Sequence, residues 1–133
     1  MKTAIKIIAF TLSLALLAAC GDAAPVSDEE ELSDVVTYSF EAGDFVTNVR
    51  DSHMMLNCAI KIDLISQRLS ETLADRGHVV KDVILRKLRQ LTEDDLKKPD
   101  IESTLSETLV EALNESMNTR GFYRVYFVRF VYQ

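Results

Sequence analysis

Tryptophan is absent from this 133-residue chain, and glycine (four), proline (two), cysteine (two) and histidine (two) are scarce. Two cysteines cannot build a disulfide framework. Four scattered glycines leave no Gly-rich loop to cradle a phosphate. His53 and His78 stand far apart, and neither has a second ligand at zinc spacing, so no metal site is expected. No serine lies in a nucleophile-elbow context. Carboxylates such as Glu71, Asp95, Glu107 and Glu111 are spread along predicted helix surfaces, whereas acid–base catalysis needs two of them converging. These absences predict a binding or scaffold protein rather than an enzyme. No catalytic, cofactor-binding or metal-ligating residues are expected.

What is present begins with a targeting signal. Met1 to Lys6 supplies a basic start, and residues 7–19 form an apolar stretch of about 13 residues, short of the ~20 needed to span a bilayer. The stretch ends in Leu17-Ala18-Ala19-Cys20, which resembles the lipobox of bacterial lipoproteins. Residues 1–19 are therefore expected to be a signal peptide and Cys20 a lipidated amino terminus, holding the protein at a membrane by buried acyl chains. An ordinary cleavage site and an uncleaved signal anchor are the alternatives. Loss of Lys2 and Lys6 with the signal moves the formal net charge from −6 to −8. Such an acidic protein repels phosphate backbones, which excludes nucleic acid as a partner.

Residues 20–34 follow as an acidic tether. From Gly21 to Asp34 there are six carboxylates and no base, a composition that cannot bury itself. A folded domain over 35–133 comes next. Segments 35–40 and 45–49 read as strands about an Ala42-Gly43-Asp44 turn. In residues 54–64, Leu56, Cys58, Ile60, Ile62 and Leu64 alternate with more polar neighbours, the pattern of a strand with one buried face; Cys58 is then a core thiol. A helix from Ser66 or Ser70 to Leu91, with Gly77 as a potential break, carries Val80, Ile84 and Leu88 on one side. Thr92-Glu93-Asp94-Asp95 reads as a helix start by capping. After Pro99-Asp100, Ile101, Leu105, Leu109, Leu113 and Met117 recur every four residues toward the sheet.

The chain closes on Phe122-Tyr123-Arg124-Val125-Tyr126-Phe127-Val128-Arg129-Phe130-Val131-Tyr132-Gln133. Strict alternation puts Phe122, Tyr126, Val128, Phe130 and Tyr132 on one face, and Tyr123, Val125, Phe127 and Val131 on the other. Both faces are apolar. Helices can cover one; the second, with Tyr123, Val125, Phe127 and Val131, is expected to meet another copy of the chain or to lie in a central strand covered by earlier segments. The expected fold class is α+β: an antiparallel sheet of three to four strands packed by two to three helices.

The order of segments carries a resemblance. Phe45-Val46-Thr47-Asn48-Val49, Val80-Lys81-Asp82-Val83-Ile84, Leu91-Thr92-Glu93-Asp94-Asp95-Leu96 and the terminal Val125-Tyr126-Phe127-Val128-Arg129-Phe130-Val131-Tyr132-Gln133 together resemble the FliL family of flagellar basal-body-associated proteins. The resemblance covers about residues 35–133, and the terminal segment is its strongest part. It implies a stomatin/prohibitin-like periplasmic domain at the inner membrane. It further implies a homo-oligomer around the flagellar stator complex that supports motor torque without catalysis or cofactors. The lipobox-like Cys20 departs from the uncleaved membrane helix usual in that family. The rival readings are a lipoprotein of the same fold that organises a non-flagellar envelope complex, and an unrecognised periplasmic hydrolase.

Overall fold

A computed structural model of the chain describes residues 37–133. In order, these form strands β1 (Tyr38–Asn48) and β2 (Met55–Leu64), helices α1 (Gln67–Leu88), α2 (Glu93–Leu96) and α3 (Ile101–Ser116), and strand β3 (Phe122–Tyr132). The strands make one antiparallel sheet in the order β1-β2-β3. The class is α+β, as the sequence predicts.

The core follows from two periodicities. Every second residue of β2 from Leu56 to Leu64 is buried, because successive strand side chains point to opposite faces. Packed with them are Leu73, Val80, Ile84 and Leu88 of α1 and Leu105, Leu109 and Leu113 of α3. Each such side chain contributes roughly 1.5–3 kcal/mol on full burial. α1 lies mainly over β1 and α3 over β3, with the two helices in mutual contact. The helices thus form one layer and the sheet the other.

Local chemistry sets the element ends. The Ser66 hydroxyl accepts from the Leu69 amide and starts α1. The helix runs to Leu88 but is kinked at Arg76, which leaves helical geometry one residue before Gly77, where the sequence suggests a break. Thr92 and Asp95 form a reciprocal capping box at α2. Asn118 takes a positive φ of 48° just beyond α3, ending it.

The expected turn at Ala42-Gly43-Asp44 does not form. β1 runs through it as a single strand, and Gly43, at φ 94°, instead supports a bulge where the register with β2 shifts. Of the two alternatives for the terminal strand, the central position is not the one found: β2 is central, and among the described residues β3 is an edge paired with β2 alone.

Candidate functional site

Two irregularities determine what β3 presents. Its register with β2 shifts between Asp63 and Leu64 and again between Ala59 and Ile60, leaving Tyr123 and Val128 as extra residues. Each bulge reverses the alternation. Phe122, Val125, Phe127, Phe130 and Tyr132 consequently pair with Leu64, Ile62, Ile60, Cys58 and Leu56 and share their helix-facing side. This corrects the grouping expected from strict alternation. Of Tyr123, Val125, Phe127 and Val131, the structure buries Val125 and packs Phe127 against the core, while Tyr123 and Val131 are exposed. A strand read at period two cannot reveal a bulge, so the face assignment fails between Tyr123 and Val128 and is restored after the second bulge.

Among the described residues, nothing covers the face of the sheet away from the helices. At one end Val46, Met55 and Val131 are about half exposed. Beside them Arg129 donates to Asp44 Oδ1 (2.6 Å) and to Asn57 Oδ1 (2.9 Å from Nη2), tying all three strands across the surface. At the other end Tyr123 and Tyr126 flank Arg124, whose guanidinium stands 5.4 and 5.7 Å from their ring centroids and donates to the Tyr126 hydroxyl (3.2 Å). These contacts are cation–π in character. The surface therefore mixes apolar and aromatic side chains with oriented polar groups, the composition of a protein-contact face. Val46, Met55 and Tyr126 belong to it, and sequence reasoning did not single them out.

The edge of β3 is divided in two. Met55 and Gln133 exchange both backbone hydrogen bonds (2.9 and 3.1 Å). Antiparallel pairs alternate, so the neighbouring pairs of Leu56 with Tyr132 and Cys58 with Phe130 leave the β3 amides and carbonyls pointing outward. Toward the start of β3, α3 supplies partners for such groups. Asn114 Nδ2 donates to the Phe122 carbonyl (3.0 Å) and Asn114 Oδ1 accepts from the Phe122 amide (3.1 Å). Ser106 Oγ donates to the Val125 carbonyl (2.7 Å). Beyond Val125 no α3 side chain bonds the edge. Asn114 and Ser106 have no motif that would have marked them; their role appears only when α3 is set beside β3.

Between α3 and the start of β3 runs a groove of about 660 Å³, bordered by Glu102, Glu107 and Glu111 on the helix and by Tyr123, Val125 and Phe127 on the strand. Two shifted groups away from this groove have structural causes. Burial raises the Cys58 thiol pKa to about 11, with Arg129 opposing and Asp44 reinforcing the shift. Lys98 and Thr92 hydrogen bonds hold the Asp95 carboxyl down at about 2. Ser52 donates to Glu93, fastening the β1–β2 connection to α2. Among the described residues no three His, Cys, Asp or Glu side chains gather as metal ligands, and no helix is long and apolar enough to cross a membrane. Cys20, with the expected signal and tether of 1–34, lies outside the described residues.

Comparison with known proteins adds one finding. Residues 39–133 match the family model described as flagellar basal body-associated protein FliL. No curated protein matches the chain.

Proposed function

The chain belongs to the FliL family of flagellar basal body-associated proteins, and from that premise we propose that it is a non-enzymatic accessory of the flagellar motor. It associates with the stator complex and supports torque as an oligomeric scaffold. The observation that carries this reading is the family match across nearly all of the folded domain. The open sheet face supports the oligomeric part: Tyr123, Tyr126 and Val131 lie on a surface with no layer of its own chain over it among the described residues. Val125 and Phe127 act from beneath, fixing the strand to the core.

In this reading residues 1–19 are removed on export, Cys20 carries the lipid, and 20–34 tether the domain of 35–133 at the periplasmic face of the inner membrane. The 14 residues from Gly21 to Asp34 reach at most about 45–50 Å when extended. Such a reach is compatible with contact to the periplasmic part of a membrane complex.

A fluorescent fusion tests the assignment. The wild-type fusion is expected in foci that coincide with flagellar bases; Cys20→Ala is expected to become diffuse. Tyr123→Glu with Val131→Glu is expected to abolish crosslinked oligomers while the domain stays folded. Foci unrelated to flagella would favour the organiser of another envelope complex.

A further inference from the structure

We infer that the uncapped half of the β3 edge and the adjoining α3 groove form a docking site for an extended, lysine- or arginine-bearing segment of another protein, which adds to the sheet as a fourth strand. The inference goes beyond the motor role and does not depend on it.

The backbone geometry comes first. Phe130 and Tyr132 direct their amides and carbonyls away from β2. Phe127, opposite Ile60, continues the series of Phe122 and Val125, whose outward groups are those met by Asn114 and Ser106. Phe130 and Tyr132 thus present outward donors and acceptors two residues apart, at a rise of about 3.2–3.4 Å per residue, and Phe127 adds a further set across the Val128 bulge; together they offer an added strand its template. Edge strands commonly carry charges or are covered by other elements. Here the covering is partial, and the uncovered part is aromatic and β-branched, with Val128 72% exposed.

Charge then selects the occupant. A segment paired along this edge and continuing past Phe127 enters the groove beside Glu102, Glu107 and Glu111. None of these three carboxylates is in an ion pair within the described residues, so they are available to a partner's cations. Arg124 on the opposite wall is already engaged with Tyr126 and Tyr123. The chain's own residues 21–34, with six carboxylates and no base, are repelled from the same groove. Another copy offering β1 as the added strand would bring Glu41 and Asp44 rather than cations, and one offering β3 would bring only Arg124 and Arg129, which are already engaged with Tyr126 and with Asp44 and Asn57 of their own chain. A basic extended peptide satisfies both the hydrogen-bonding edge and the acidic wall, with apolar contact to Val110 and Phe127 between them.

The test uses the full chain and a fluorescent nonapeptide of alternating lysine and valine, with a glutamate–valine peptide as its counterpart. Anisotropy is expected to show saturable binding of the lysine peptide only, weakening as salt rises because the charge pairs are solvent-accessible. Glu102→Lys combined with Glu107→Lys is expected to lower affinity about tenfold or more, a difference of about 1.4 kcal/mol. Tyr132→Pro removes one outward amide at an edge position where proline is tolerated; it is expected to weaken binding while leaving the melting temperature unchanged. Amide resonances of Phe127, Phe130 and Tyr132 are expected to shift on binding. Equal binding of both peptides overturns the inference, as does indifference to both the glutamate and Tyr132 substitutions. Displacement of the peptide by self-association of the chain also overturns it, since the occupant would then be a second copy.

Discussion

Replacing Asn114 with alanine probes how α3 secures the terminal strand. The Asn114 carboxamide donates to the Phe122 carbonyl at 3.0 Å and accepts from its amide at 3.1 Å. It acts as a short substitute for a neighbouring strand. Alanine strands both backbone groups at a partly buried position. A neutral hydrogen bond contributes about 1 kcal/mol net, and an unpaired buried group costs about 1–3 kcal/mol. Residual access of water keeps the expected total for Asn114→Ala near the lower end, about 1–3 kcal/mol. With a urea m-value of about 2 kcal/mol/M the midpoint falls by about 0.5–1.5 M, with m unchanged. Asn114→Asp sharpens the test. Its ionised carboxylate still accepts from the Phe122 amide but repels the carbonyl; once protonated, it donates to that carbonyl. Its deficit relative to wild type is therefore expected to narrow as pH falls through the carboxyl range. Urea denaturation followed by circular dichroism measures both variants. An alanine variant within about 0.3 kcal/mol of wild type, well inside the range for substitutions away from structural contacts, would refute the proposed role.

Other expectations follow from single contacts. A Cβ on Gly121 would stand 2.7 Å from Leu69 Cδ2 and 3.3 Å from Ser66 Cβ; Gly121→Ala is expected to cost about 1–3 kcal/mol by overpacking, read as a lowered melting temperature. Cys58 is fully buried with its pKa raised to about 11, so a thiol reagent at pH 8 should modify it only at the rate of unfolding. Because ionisation of that thiol is easier in the unfolded chain, its contribution to stability is lost as pH rises from about 9 toward about 11. Asp95 has the opposite sense: its pKa is depressed from 3.8 to about 2, so its contribution is present above pH 4 and disappears as pH falls toward 2. Thr92→Ala should cost about 1 kcal/mol and raise the Asp95 carboxyl pKa, as followed by carboxyl carbon shifts in NMR.

The fold was legible where one period dominates. The alternation of Leu56 to Leu64 marks the central strand, and the four-residue recurrence from Ile101 to Met117 marks α3; Leu105, Leu109 and Leu113 are buried as that spacing requires. Thr92 and Asp95 announce their cap because capping is local chemistry. What sequence misses here is local irregularity inside strands. Gly43 looks like a turn, and only pairing with β2 makes it a bulge. The extra residues Tyr123 and Val128 exchange the faces of β3, so Val125 goes to the core while Tyr126 comes to the surface. Asn114 and Ser106 carry no pattern at all, since their meaning depends on a helix lying beside an edge strand. The grouping of side chains on the two faces of β3 was therefore legible only outside the stretch between its two bulges.

The central claim, an accessory role in the flagellar motor, is tested most directly by swimming speed under increasing viscosity in a strain lacking this gene. The account predicts a deficit that grows with load and is restored by the wild-type gene but not by Cys20→Ala. Unchanged speed at every load, in a strain with no second member of the family, would contradict it.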